Sequence, residues 1–182
     1  MIVSVCGNVY SGSGAVVDYL RENDHIAVPP YDIEFTFLYD VDAIDDLKHH
    51  LVTRPVRFYS SDAAIKRFKA YIKSVNTPNS LMRKVVGMNL YELTDKYLNE
   101  IVQLRWHGWW HFDIRNANLW VRNWNFRIMP RIASIIKILF NKRINIYPHS
   151  EMSISIDPIN FEAATKKYIS DIISLFNPEN KS

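Results

Sequence analysis

The chain has 182 residues, of which 48% are hydrophobic and 23% charged, with a formal net charge of +3. This is the composition of one globular domain with a sizeable core, and it excludes a disordered chain and a dedicated DNA-coating protein. A single cysteine, Cys6, excludes an internal disulfide framework and a cysteine-rich zinc site. We find neither a secretory signal nor a bilayer-spanning segment, so we expect a cytoplasmic protein.

The first part of the chain predicts a small α/β unit. Residues 2–6 are β-branched and predict a buried strand, which ends at Gly7. Residues 14–23 then predict an amphipathic helix, and residues 26–28 predict a second strand. Residues 34–39 either extend that strand or begin another. The fold class expected from this order is α/β, with a small parallel sheet and a predominantly helical elaboration.

The rest of the chain predicts mainly helices. They are expected over residues 40–51, 62–75, 89–105 and 158–176, with Ser60 or Ser61 as a cap of the second. The last three carry apolar side chains at helical spacing, namely Ala64, Ile65, Phe68 and Ile72; Leu90, Leu93, Tyr97, Ile101 and Leu104; and Phe161, Ala164, Tyr168, Ile172 and Leu175.

A basic helical insertion is expected at about residues 114–150, which hold seven Lys and Arg residues and no acidic one. Three interpretations stay open. The segment is a solvated face over a core helix, a surface that steers an anionic donor or acidic glycan, or a helix that lies on an anionic membrane through residues 115–143. Nucleic acid is not favoured as a partner, because no reader module is recognisable.

The loop from Gly7 to Gly14 lies between the first predicted strand and the first predicted helix. Glycines there let the backbone approach an anion, and the helix N-terminus adds partial positive charge. The spacing Gly7-x4-Gly12 matches the first part of a P-loop, but Ser13 stands where that motif has its lysine. An anion-binding loop and a tight turn without a ligand are both compatible with this pattern. A kinase-like module that uses ATP is disfavoured by the missing lysine.

The stretch from Tyr10 to Leu20 resembles the start of the P-loop sulfotransferases. The likeness is closest to sulfotransferase-like proteins of bacterial surface-polysaccharide gene clusters. Two further patterns are shared with them: E-F-x-x-L-x-D-x-D-x-x-x-D-L at residues 34–47, and G-W-W-H-x-D at residues 108–113.

The resemblance implies one sulfotransferase-like domain over residues 1–182, incomplete at its C-terminus. Such a protein transfers a sulfuryl group from the donor 3′-phosphoadenylyl sulfate (PAPS) to a carbohydrate hydroxyl and needs no metal. Glu34 would be the general base. The residues implied to hold the donor's 5′-phosphosulfate are Tyr10, Ser11, Gly12, Ser13, Gly14 and Ala15.

Two departures from the family leave open whether the chain is an active enzyme or a non-catalytic interaction protein. Tyr10 replaces the basic residue that precedes Ser-Gly in the family and helps to neutralise the transferring group. The family's later segment for the donor's 3′-phosphate is not found. A cation from the basic insertion is the candidate replacement for the residue lost at Tyr10.

The acidic cluster Asp40, Asp42, Asp45 and Asp46 has two interpretations. Four carboxylates in seven residues form a candidate site for a divalent cation. The favoured interpretation is a solvated helix N-terminus, where negative charge suits the helix dipole.

The histidines and tryptophans between residues 106 and 113 also allow more than one interpretation. His111 and Asp113 with His149 match an iron triad, and His107 with His111 has zinc spacing, but neither has its usual context. The favoured interpretation is an aromatic packing cluster with the members Trp106, Trp109, Trp110 and Phe112. Stacking of a sugar on one exposed tryptophan is the alternative.

Overall fold

The architecture is that of a mixed α/β protein that is mostly helical, taken from a computed structural model. The structure describes residues 5, 12–23, 25–26, 28, 33, 35–55, 58–110, 117–142 and 150–176. The strands predicted at residues 2–6 and 26–28 lie largely outside these ranges. The described ones among them, Val5, Ile26 and Val28, are not in strands.

Helices form most of the described chain. Two of them contain a π-helical stretch: His49–Thr53 continues the helix Ile44–Lys48, and Trp124–Ile128 joins the helices Leu119–Asn123 and Met129–Phe140. The α-helices are α1 (Ser13–Arg21), α2 (Ile44–Lys48), α3 (Phe58–Val75), α4 (Leu81–Val86), α5 (Asn89–Ile101), α6 (Leu119–Asn123), α7 (Met129–Phe140) and α8 (Phe161–Phe176).

One two-stranded antiparallel sheet is present among the described residues. It pairs β1 (Leu104–Gly108) with β2 (Ser150–Ile154), and Trp106 lies opposite Met152 at its centre. The prediction of a helix over 89–105 is therefore wrong at its end. Val102 is extended, with φ −81° and ψ 123°. Beyond it the backbone pairs with a strand far along the chain instead of with its own preceding turn.

The prediction of a strand within residues 34–39 is also wrong. Residues 36–39 form a turn, in which the N–H groups of Tyr39 and Asp40 both donate to the carbonyl of Thr36, at 3.2 and 3.0 Å. These local bonds take up backbone groups that a strand would offer to a neighbour. The turn leads the chain directly into α2.

The core lies where α3, α5 and α8 meet. Phe68, Tyr97 and Tyr168 come from these three helices, and the rings of Tyr97 and Tyr168 stack with centroids 4.6 Å apart. The predicted apolar faces are confirmed, since nearly all their members are buried. Leu93 and Leu175 are only partly buried, and Leu104 is exposed because it belongs to β1.

Helix α3 begins earlier than predicted. Residues 60 and 61 lie inside its first turns, so neither serine caps it. Ser61 is buried, and its hydroxyl accepts a hydrogen bond from the N–H of Ser155. The serine serves the contact with the segment after β2 rather than the start of the helix.

Within the described part of the chain, no helix is both long enough and apolar enough to cross a bilayer.

Candidate functional site

The described part of the predicted donor loop, residues 12–15, is the start of α1. Gly12 precedes the helix in the left-handed conformation, with φ 80° and ψ 10°, which glycine adopts without a steric penalty. Its carbonyl accepts from the N–H groups of Ala15 and Val16, at 3.1 and 3.4 Å. The chain therefore turns sharply at Gly12 and enters the helix at once. Tyr10 and Ser11 lie outside the described residues.

The start of α1 is open to solvent. Gly12, Gly14 and Ala15 are exposed and Ser13 is half-buried. Among the described residues, and apart from the chain neighbours and the backbone of α1 itself, nothing lies within 4 Å of the position that a Cβ would take on either glycine. The first turn of the helix has no acidic residue. A helix leaves its first N–H groups without an intrahelical acceptor, so this end can meet an anion.

Helix α1 is confirmed, but its apolar side chains do not enter the core. No residue of the helix is buried, and Val16 and Tyr19 are 49% and 74% exposed. The predicted apolar face is therefore present, with Leu20 partly buried and none of its members fully buried.

Glu34, the predicted general base, also lies outside the described residues. Its neighbours Ile33 and Phe35 are partly buried against the core, and the ring of Phe35 lies 5.1 Å from that of Phe37. The hydroxyls of Thr36 and Tyr71 are 3.0 Å apart. Residues 36 and 37 thus contact Tyr71 of α3.

Two aspartates of the acidic cluster pair with an arginine that the sequence did not predict as their partner. Arg67 of α3 donates from Nε to Asp42 Oδ1 at 2.8 Å and from an Nη to Asp46 Oδ2 at 2.9 Å. Asp42 has a positive φ of 63°, which turns the chain toward α2. Among the described residues, no group of three His, Cys, Asp or Glu could hold a metal ion. Two of the four aspartates therefore form a structural bridge between α2 and α3.

Part of the aromatic cluster is visible at the end of β1. Trp106 and Trp110 pack edge to face, with ring centroids 6.2 Å apart and planes at 86°. Gly108 lies between them, and a Cβ there would approach Trp106 Nε1 to 2.7 Å. This contact fits the packing interpretation. His111, Phe112, Asp113 and His149 lie outside the described residues, and His107 is exposed on β1.

Buried hydrogen bonds that join β2 and the residue after it to α3 and α5 were missed from the sequence. Asp62 accepts from the N–H of Ser153 at 2.8 Å, and the Ser155 hydroxyl donates to the carbonyl of Ile101 at 2.6 Å. The side chains of Asp62, Ser153 and Ser155 are all buried. The signal was the position of Ser61, four residues before Ile65 on the predicted apolar face, where a polar side chain needs a buried partner.

A groove of about 500 Å³ lies between α2 and α8. Lys48 and Glu162, which pair at 3.2 Å, both line it, together with Tyr39 and Phe161. None of the described residues predicted to bind the donor, Gly12 to Ala15, lines this groove.

Comparison with known proteins gives no relative. No family model, no curated protein and no solved structure matches this chain.

Proposed function

We propose that this chain is a P-loop sulfotransferase-like protein whose loop at residues 10–15 binds the 5′-phosphosulfate of PAPS, with a carbohydrate hydroxyl as acceptor. The observation that carries the proposal is the sharp turn at Gly12 in front of an exposed helix N-terminus. The small parallel sheet expected from the sequence belongs to the same proposal.

The geometry at Gly12 supports anion binding in three ways. The left-handed glycine lets the backbone approach a ligand closely, and the exposed first turn leaves room for it. The N–H groups of Ser13 and Gly14 occupy positions that have no intrahelical acceptor. No carboxylate in that turn repels a phosphate or sulfate group.

The proposed reaction is an in-line transfer. The acceptor oxygen forms a bond to sulfur while the bond between sulfur and the bridging oxygen of PAPS breaks. The acceptor proton passes to Glu34, and adenosine 3′,5′-bisphosphate leaves. Negative charge gathers on the oxygens of the transferring group, so fixed N–H donors at Ser13 and Gly14 would be the main source of stabilisation.

Calorimetric titration with PAPS, adenosine 3′,5′-bisphosphate and ATP tests the proposal. We expect the wild-type protein to bind both adenosine 3′-phosphates more tightly than ATP, and Ser13→Asp to lose that binding. An aspartate in the first turn stabilises a helix through its dipole, so the loss would reflect repulsion of the anion rather than loss of α1.

Ser174→Asp on α8 is the matched control, because this exposed serine receives the same charge away from the loop. Its affinity for PAPS should equal that of the wild type. Equal affinity in the wild type and Ser13→Asp, or a preference for ATP, would refute the proposed function.

A further inference from the structure

We propose that residues 119–140, which we call the basic helix, bind the surface of an anionic lipid membrane. The proposal does not depend on sulfuryl transfer or on the loop at Gly12. It rests on the exposed apolar side chains of this segment, on its uniformly positive charge, and on its arrangement as one helix.

The basic helix is continuous through α6, the π-helical turn and α7. Asn118 caps its start, since its side chain accepts from the N–H of Val121 at 2.9 Å. Asn123, Ile128 and Met129, at the junctions, all have helical backbone angles. The π turn precedes Pro130, which has no N–H to give to the preceding turn, so the wider turn accommodates the proline.

The side chains of the basic helix are far more apolar and exposed than an ordinary surface helix allows. Of all the residues in the basic helix, only Asn125 is buried. Half of the twenty large hydrophobic side chains that are exposed in the described protein lie on this one helix. They are Leu119, Trp120, Val121, Trp124, Phe126, Ile128, Ile135, Ile138, Leu139 and Phe140.

The two ends of the helix carry the largest exposed groups. Trp120 and Trp124 stack with ring centroids 5.7 Å apart, and Trp120 is 73% exposed. Ile138, Leu139 and Phe140 are 81%, 67% and 66% exposed. Large apolar side chains left exposed at both ends of one helix mark an interaction site, and tryptophan favours the boundary between headgroups and acyl chains.

The charge on the helix selects the partner. The exposed cations are Arg122, Arg127, Arg131 and Lys137 on the helix and Lys142 just after it. Residues 114–150 hold no acidic side chain. A second copy docked face to face would bring these cations against the same cations, which is unfavourable. An anionic lipid surface offers negatively charged headgroups to the cations and an apolar interior to the hydrophobic side chains.

Vesicle co-sedimentation tests the proposal with the full chain. One set of vesicles is phosphatidylcholine alone, and the other is an equal mixture of phosphatidylcholine and phosphatidylglycerol. We expect binding to the mixed vesicles with a blue shift of tryptophan emission, little binding to phosphatidylcholine, and loss of binding at about 1 M salt, where the Debye length is about 3 Å.

Two double variants separate the charge from the apolar surface. Arg122→Gln with Arg127→Gln should weaken partition into mixed vesicles about 25-fold, at about fivefold for each cation. Ile138→Ser with Leu139→Ser should lose the binding even at low salt. Arg54→Gln and Ile159→Ser alter exposed residues elsewhere and should bind as the wild type does.

Three results would overturn the proposal. They are equal binding to both kinds of vesicle, binding to neither, and losses in the control variants that match those in the helix variants. If the protein instead forms a dimer that Ile138→Ser with Leu139→Ser disperses, without any binding to vesicles, the face belongs to a second copy of the chain.

Discussion

The carboxylate of Asp62 in α3 accepts a hydrogen bond from the backbone N–H of Ser153 in β2 at 2.8 Å, although the two residues are 91 positions apart. Its second oxygen lies 2.7 Å from Nζ of Lys66. Only 2% of the Asp62 side chain is exposed. One charged group therefore holds the sheet on the helix and satisfies a buried donor of the sheet.

Replacing Asp62 with Ala should lower the free energy of unfolding by about 2–3 kcal/mol, because a buried N–H loses a charged acceptor. The midpoint of urea unfolding, followed by far-UV circular dichroism, measures the loss. Asp18→Ala is the control. That carboxylate is 71% exposed and pairs with Arg21 at the surface, so its removal should change stability by under about 0.5 kcal/mol. Similar losses in both variants would show that Asp62 does not fix the sheet.

The stacked pair Tyr97 and Tyr168 predicts a loss of stability at alkaline pH. Burial raises the pKa of both phenols above the ordinary value of about 10. Their contribution to stability is complete below pH 10. Above it the unfolded chain releases tyrosine protons that the folded protein keeps, so the free energy of unfolding falls by up to about 1.4 kcal/mol per pH unit for each tyrosine.

Urea unfolding at several pH values between neutral and alkaline conditions measures this slope. Tyr97→Phe should make the slope shallower. It should also cost about 1 kcal/mol at pH 7, because the phenol and the Thr165 hydroxyl lie 3.0 Å apart and share a hydrogen bond. An unchanged alkaline slope in that variant would contradict the prediction.

The bridge from Arg67 to Asp42 and Asp46 predicts that lysine replaces this arginine with a small loss of stability. Its guanidinium reaches both carboxylates with separate N–H groups, whereas an ammonium group is a single point charge. Because 38% of the Arg67 side chain is exposed, solvent screens the pairs, and Arg67→Lys should cost only about 1 kcal/mol. Thermal unfolding at low and high salt measures it. Lys167→Arg, at an exposed pair with Glu100, should leave stability unchanged.

Alanine substitutions at Gly108 and at Gly14 should change stability in opposite directions. Gly108→Ala would place a Cβ 2.7 Å from the Trp106 indole, so that ring must shift, at a cost of about 1–3 kcal/mol. Gly14→Ala meets no atom of another described segment within 4 Å and lies inside α1, so it should stabilise the helix by up to about 1 kcal/mol. Chemical unfolding and tryptophan fluorescence together test both, and destabilisation by Gly14→Ala would contradict the open geometry at the start of α1.

The core helices could be predicted because their signal is local. Phe68 and Ile72 in α3, and Ala164 and Tyr168 in α8, lie four residues apart, and that spacing alone places them on one face. The strand β1 could not be predicted in this way. Leu104 follows Ile101 at helical spacing, yet the backbone from Gln103 onward bonds to the segment ending at Ile154.

The candidate site was predicted in the same uneven way. The turn at Gly12 and the start of α1 follow from a glycine placed before an amphipathic run. The ion pairs of the acidic cluster do not follow from the sequence, because nothing near Asp42 and Asp46 selects Arg67 as their partner. A partner 21 or 25 residues away is chosen by how two helices pack.

The amino-acid sequence by itself determined where helices form, which of their faces are apolar, and that one long segment is purely basic, since each depends on residues a few positions apart. Tertiary structure decided that β1 pairs with β2, that Asp62 and Arg67 are polar links of α3, and that α1 and the basic helix leave many of their large apolar side chains exposed. These outcomes depend on contacts between segments far apart in the chain, which the spacing of residues does not predict.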